Sequence, residues 1–177
     1  MSEPRPLVVK IGGGLLSAEG LGGLRRGCAD VLELARDRPV LVVPGGGPFA
    51  DVVRALDAQF GLGDDVAHRL ALQAMDQLGL LLAPMLPGAK LLRRLVAPRS
   101  LGLLVAAPAF AGRPDVPESW DVTSDSLAVL AAAAIGAEEA ILLKPVDGAA
   151  VDAYLPEAVR RTGVRVTVRS PGLWRFS

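Results

Sequence analysis

Residues 8–14 read VVKIGGG and join a strand-like apolar run to a lysine and three consecutive glycines. Because glycines carry no side chain, their backbone amides can close around an anion, and Lys10 adds positive charge next to them. The stretch therefore indicates a phosphate site at the end of a buried strand. It is not a P-loop, in which the lysine follows the glycines on a helix. A strand that ends in a flexible turn, with Lys10 reaching solvent, is the alternative interpretation.

The composition limits the class of protein. A chain of 177 residues with 51% hydrophobic residues predicts one packed domain over residues 1–177. Its 19 basic and 19 acidic side chains balance, which argues against nucleic acid as a partner. The single cysteine and the lack of a signal-peptide pattern predict a cytoplasmic protein. The longest leucine-rich run, residues 78–86, is too short to span a membrane.

Strand and helix patterns alternate along the chain. A second glycine loop, PGGGP at residues 44–48, follows another apolar run. The spacing predicts helices over 17–38, 49–60, 64–82, 126–135 and 156–161, strands over 7–11, 40–43, 103–106, 140–143 and 164–168, a loop over 84–88, a leucine-rich segment over 91–96 and a surface loop over 108–117. This alternation predicts an α/β fold, a three-layer αβα sandwich with a mainly parallel central sheet, whose site lies at the strand carboxyl ends.

Two further motifs follow the glycine loops. Residues 119–125 read SWDVTSD before an alanine-rich helix, and residues 142–148 read LLKPVDG. With VVKIGGG and VVPGGGP before them, these motifs resemble the amino acid kinase superfamily, which includes acetylglutamate, uridylate, isopentenyl phosphate and carbamate kinases. The resemblance covers nearly the whole chain. Segment 119–125 is most similar to small archaeal-type members that phosphorylate an aminomethylfuran-methanol phosphate in methanofuran synthesis, a part of one-carbon metabolism.

The resemblance implies an ATP-dependent kinase that converts a small phosphorylated acceptor to a diphosphate, with Mg²⁺ entering on the nucleotide. Lys10 would contact the transferring phosphoryl group, and Asp125 would orient the lysines without abstracting a proton. The remaining roles that it implies are nucleotide or phosphate contact for Gly12, Gly13, Gly14, Lys144, Asp147 and Gly148, and acceptor contact for Gly45, Gly46, Gly47, Asp121 and Thr123.

Several of these residues have a structural alternative. Asp125 could cap the helix that follows it, Lys144 could be a solvated lysine at a strand end, and residues 147–148 could form a tight turn. The only histidine, His68, lies on a predicted helix, where a surface or interface role is favoured over catalysis. The sequence shows no cluster of His, Cys and carboxylate side chains that suggests a structural metal.

Asp121 carries a separate hypothesis. Relatives that bind an amino acid derivative commonly have an asparagine four residues before the aspartate that matches Asp125. A carboxylate at that position would be costly beside an anionic acceptor unless the acceptor also carries a positive charge. Asp121 would then select an acceptor with an ammonium group at one end and a phosphate at the other. The alternative is that Asp121 caps the following helix or pairs with a nearby arginine such as Arg113.

Two broader alternatives stay open. The superfamily fold also builds storage and regulatory proteins, so the chain could be a binding protein without catalysis, or a kinase for another acceptor such as isopentenyl phosphate, UMP or an acyl amino acid. The leucine-rich helix faces over residues 49–82 indicate a homo-oligomer, although burial within one subunit would also explain them.

Overall fold

The structure is a computed structural model that describes residues 4–146 and 149–172. Its strands are β1 (Leu7–Ile11), β2 (Val40–Pro44), β3 (Lys90–Leu92), β4 (Leu101–Leu104), β5 (Glu139–Leu143) and β6 (Arg165–Arg169). Its α-helices are α1 (Gly14–Leu34), α2 (Gly47–Phe60), α3 (Asp64–Leu82), α4 (Ala106–Phe110), α5 (Ser124–Ala134) and α6 (Leu155–Thr162). A short 3-10 turn, Ala83–Met85, follows α3.

All six strands are parallel and form one sheet in the order β3-β4-β2-β1-β5-β6. β1 is central, with Lys10 in register with Val43 of β2 and Leu142 of β5. The chain leaves β1 toward β2 and later crosses to β5 on the opposite side. The order therefore reverses beside β1, and ligands of open α/β sheets bind at the strand carboxyl ends of such a switch point.

The sheet is covered on both faces, which confirms the predicted αβα sandwich. Side chains of β1 alternate between the faces. Val9 packs with the buried side chains of α1, whereas Val8 packs with those of α5 and α6. Lys10 has the parity of Val8 and lies on the α5 face, where an apolar residue would otherwise continue the core.

Several boundaries differ from the sequence prediction, and two of the differences have a clear physical cause. Helix α1 begins at Gly14, three residues before the predicted start, because the glycine loop runs straight into the helix. Helix α4 was not predicted: the strand expected over 103–106 is displaced to 101–104, and α4 also occupies the start of the surface loop expected over 108–117. A carboxylate distant in sequence, Asp76 on α3, accepts hydrogen bonds from the amides of Ala106 and Ala107 and so caps α4.

The outer surface bears on two further predictions. Helix α2 exposes apolar side chains at every fourth position, Val52, Leu56 and Phe60, but the homo-oligomer itself stays a prediction. Among the helices that the structure describes, none combines the length and the apolar character needed to cross a membrane.

Candidate active site

The first glycine of each loop is bound to the sheet. The amide of Gly12 donates to the carbonyl of Leu143 on β5 at 3.0 Å, and the amide of Gly45 donates to the carbonyl of Ile11 on β1 at 2.9 Å. Neither glycine lines the cavity described below. Their amides extend the parallel hydrogen-bonding pattern of the strands and are not free to bind an anion, so ligand contact by Gly12 or Gly45 stays a prediction.

The second and third glycines of both loops line a cavity at the carboxyl end of β1. Gly13 and Gly14 begin α1, and Gly46 and Gly47 begin α2. Within residues 4–146 and 149–172, the amides of these four glycines have no hydrogen-bond partner. Free amides at helix N-termini bind anions, because the helix dipole also favours negative charge there.

The two glycine loops touch each other through their backbones. A Cβ added to Gly13 would overlap the Cα and the amide nitrogen of Gly47, and one added to Gly45 would lie 2.7 Å from the amide nitrogen of Gly13. Gly47 also has a φ of +53°, which disfavours a side chain. Close packing of the loops therefore requires glycine at these positions, independently of any ligand.

A carboxylate bridges two lysines at the floor of the cavity. Oδ1 of Asp125 lies 2.7 Å from Nζ of Lys10, and Oδ2 lies 2.7 Å from Nζ of Lys144. Lys10 comes from β1, Lys144 directly follows the neighbouring β5, and Asp125 stands in the first turn of α5. Their side chains are 6%, 12% and 4% exposed, in that order. Lys144 is thus a half-buried member of the site whose ammonium group pairs with Asp125, and the alternative of a solvated lysine is wrong.

Burial and charge set the protonation of this cluster. Burial lowers the pKa of Lys10, and the positive charge of Lys144 lowers it further, whereas Asp125 opposes both effects. Burial alone would raise the pKa of Asp125, but the charges and hydrogen bonds of the two lysines outweigh it, and the pKa lies below its usual value. An ionised carboxylate whose oxygens are both occupied is suited to orienting lysines and poorly suited to abstracting a proton.

Asp152 holds the start of α5, and the sequence did not reveal it. Its carboxylate accepts hydrogen bonds from the amide of Thr123 at 2.9 Å, the hydroxyl of Thr123 at 2.8 Å, the amide of Ser126 at 2.9 Å and the hydroxyl of Ser126. Its own amide donates to Oδ2 of Asp125 at 3.3 Å. Asp152, not Asp125, therefore caps α5, and Thr123 lines the cavity with its hydroxyl engaged by Asp152.

The structure does not support the predicted acceptor contact of Asp121. Its side chain is exposed and does not line the cavity. Both structural alternatives are wrong as well, because Asp152 caps α5 and Arg113 pairs with Asp115 at 2.7 Å. Two other predicted nucleotide contacts, Asp147 and Gly148, lie outside the described residues.

Three further residues line the side of the cavity formed by α2, α3 and the loop before α5. The guanidinium of Arg54 lies 4.7 Å from the ring centroid of Trp120, and the indole N–H of Trp120 donates to Asp57 at 2.8 Å. His68 is 6% exposed, so the expected surface position is wrong. The sequence held one signal of this burial. His68 is the polar residue on a face of α3 that is otherwise apolar, at positions 71, 72 and 75.

The donor set fits anionic groups such as phosphates. The cavity has a volume of about 260 Å³ and combines two ammonium groups with four free amides. No group of three or more His, Cys, Asp or Glu side chains able to hold a metal occurs in the part of the chain that the structure describes.

Comparisons with known proteins identify the family of the chain. A sequence model of the amino acid kinase family matches residues 5–152. The [5-(aminomethyl)furan-3-yl]methyl phosphate kinase of Methanocaldococcus jannaschii is 28% identical over 117 residues, which cover 63% of this chain and 54% of that protein. The chain thus spans about half the length of this curated relative.

Solved structures share the fold. The uridylate kinase of Archaeoglobus fulgidus superposes with a TM-score of 0.69 at 18% identity, over 93% of this chain and 90% of that one. The UMP kinase of Ureaplasma parvum superposes with a TM-score of 0.71 at 15% identity, over 95% of this chain and 90% of that one. The aspartate kinase of Synechocystis superposes with a TM-score of 0.66 at 17% identity, over 93% of this chain and 38% of that one. With the sequence match over most of its length and the same sheet beneath its two glycine loops, the chain belongs to the amino acid kinase family.

Proposed function

We propose that the chain is an ATP-dependent kinase that transfers the γ-phosphoryl group of ATP to the phosphate of a small monophosphate. The observation that carries this proposal is the Lys10–Asp125–Lys144 cluster, which lines one cavity together with four glycines whose amides have no hydrogen-bond partner among the described residues. The proposed acceptor is an aminomethylfuran monophosphate of methanofuran biosynthesis, supported by the name of the Methanocaldococcus jannaschii relative. A cytoplasmic location, where ATP is abundant, belongs to the same proposal.

The proposed reaction asks for positioning and positive charge. An oxygen of the acceptor phosphate attacks the γ-phosphorus of ATP, the bond to the β–γ bridging oxygen breaks, and ADP leaves while a diphosphate forms. Lys10 and Lys144 would stabilise the negative charge on the transferring group. Gly13 and Gly14 would hold the nucleotide phosphates. Magnesium bound with the nucleotide would supply further positive charge on its phosphates.

The acceptor side needs no general base under this proposal. The second pKa of a phosphate monoester is about 6, so the attacking oxygen is already ionised at neutral pH. Asp125 can then be fully occupied by Lys10 and Lys144, as its two 2.7 Å contacts require. Gly46 and Gly47 would bind the acceptor phosphate through their amides, one loop away from the nucleotide.

A coupled ADP-release assay tests the proposal. The wild-type protein receives Mg·ATP with an aminomethylfuran monophosphate, UMP, isopentenyl phosphate or N-acetylglutamate, and we expect the aminomethylfuran compound to give the highest kcat/KM. Lys10→Ala is the matched control for contaminating kinases. Calorimetric binding of an ATP analogue, without ADP release for any acceptor, would contradict the proposal and indicate a binding protein.

A further inference from the structure

His68 lines the cavity without a hydrogen-bond partner. The residue is 6% exposed and stands on the face of α3 that also presents Ala71, Leu72 and Met75. Throughout residues 4–146 and 149–172, neither ring nitrogen of His68 forms a hydrogen bond. His68 therefore differs from the other buried polar groups of the site, since Lys10 and Asp125 bond to each other.

An unpartnered buried imidazole weakens the folded state, because it loses water and gains no protein partner in return. A hydrophobic residue at position 68 would match the apolar side chains beside it on α3. Groups that cost stability in this way concentrate at binding sites, where a ligand supplies the missing partner. This loss of folding stability therefore indicates that a ligand group contacts His68 in the cavity.

The chemistry of the ring restricts what that group can be. Burial lowers the pKa of His68, and the charge of Glu118 opposes this only in part. The imidazole is therefore neutral at pH 7, with one N–H donor and one nitrogen acceptor. It can pair with a hydroxyl, an amide or an ammonium group, but it offers nothing to a hydrocarbon. The lysines occupy a different wall of the cavity, formed by the ends of β1 and β5.

We propose that His68 is an acceptor-recognition residue whose imidazole hydrogen-bonds a polar group on the body of the acceptor, remote from the transferred phosphoryl group. This inference rests on the proposed kinase function. It narrows the substrate class to small monophosphates that carry a hydrogen-bonding group on their body. A monophosphate with a purely hydrocarbon body would leave the imidazole unpaired and is disfavoured for the same reason that polar sites reject analogues that lack the matching group.

The single histidine allows a direct binding test. Untagged protein labelled at histidine gives one set of imidazole nitrogen resonances by NMR. We expect a saturable change in these resonances with an aminomethylfuran monophosphate, and none with isopentenyl phosphate or with a magnesium complex of an ATP analogue alone. Resonances that stay unchanged with the aminomethylfuran compound, or that respond equally to isopentenyl phosphate, would overturn the proposal.

Variants provide the kinetic test. His68→Leu should raise the KM for the aminomethylfuran monophosphate roughly 3- to 10-fold, the effect of one neutral hydrogen bond, with little change in kcat or in the KM for ATP. His68→Gln, which can still hydrogen-bond, should lie between His68→Leu and wild type. The matched control is Gln73→Leu, a polar-to-leucine change at an exposed position of the same helix, which should leave both KM values unchanged.

Two outcomes separate this inference from the proposed function. A change in the imidazole resonances with the aminomethylfuran compound but without ADP release would contradict the kinase proposal and support only the hydrogen bond between His68 and that compound. ADP release with an unresponsive imidazole, and a KM unchanged in His68→Leu, would overturn the role of His68 alone. Thermal melting excludes a purely structural role, because His68→Leu should melt at or above the wild-type temperature.

Discussion

Asp125→Asn tests the buried charge cluster most sharply. The substitution keeps the shape of the side chain but leaves the ammonium groups of Lys10 and Lys144 without the carboxylate that each contacts at 2.7 Å. Removing one partner of a buried ion pair costs about 3–5 kcal/mol. For a chain of this size each kcal/mol lowers Tm by about 2–4 °C, so the variant should melt roughly 6–20 °C below wild type.

The pH dependence of this loss identifies its cause. The folded-state pKa of Lys10 lies below its unfolded value of 10.5, so between these two values the unfolded chain binds more protons and stability rises with pH. Without Asp125 the pKa of Lys10 falls further, and this rise begins at lower pH. The difference in Tm between Asp125→Asn and wild type should therefore be larger at pH 7 than at pH 9.5.

Calorimetric or fluorescence melts of both proteins at the two pH values make the measurement. Asp121→Asn is the matched control, because it makes the same change at an exposed carboxylate and should alter stability by about 0.5 kcal/mol or less. A variant Asp125→Asn that melts with wild type at pH 7, or a deficit that does not depend on pH, would refute the reasoning from an unpaired buried charge.

Substitutions at three other positions probe the site. Lys10→Ala and Lys10→Arg should each lower turnover by orders of magnitude on folded protein, since a planar guanidinium does not replace a compact ammonium. Gly13→Ala should weaken binding of both nucleotide and acceptor about 10-fold or more in calorimetric titrations, because its Cβ overlaps Gly47, whereas Gly22→Ala in the same helix should not. Asp152→Ala should lower the free energy of unfolding in urea by about 1–2 kcal/mol through loss of the α5 cap.

Each of these has a contrary result. Near-normal turnover of either Lys10 variant would remove the lysine from the transfer step. Loss of only one ligand in Gly13→Ala would show that the two loops act independently, as their separate roles in the sequence had suggested. If Asp152→Ala has the same free energy of unfolding as wild type, the hydroxyls and amides at the start of α5 bond to water as favourably as to the Asp152 carboxylate.

The features of the fold that depend on local sequence pattern could be predicted from the sequence. The glycine loops and the strands beneath them were predictable because an apolar run followed by glycines is typical of the end of a parallel strand, and the burial of Lys10 decides against its alternative placement in solvent. The first glycine of each loop could not be told from the others, since its use depends on the register between β1, β2 and β5. The connection of Asp152 to Ser126 spans 26 residues and leaves no local trace.

The surroundings of the His68 and Asp121 side chains could not be predicted from the sequence, for a related reason. The sequence placed Asp121 inside a motif and therefore near the ligand, but the backbone turns its side chain to solvent before α5 begins. It placed His68 on a helix without showing which helix face meets the cavity. The packing of α3 against its neighbours decides which face of the helix meets the cavity. In the sequence, only the apolar residues at positions 71, 72 and 75 indicated that face.

The contact between Gly13 and Gly47 has a mechanical consequence. Two backbones in van der Waals contact, each anchored by its first glycine to a neighbouring strand, can separate only by breaking this packing, so we expect the two loops to move as one unit. Under the proposed function, the separation between donor and acceptor phosphates would then be a fixed dimension of the fold. Redesign of acceptor choice is best confined to α2, α3 and the loop at Trp120, which can be reshaped while the transfer distance is left untouched.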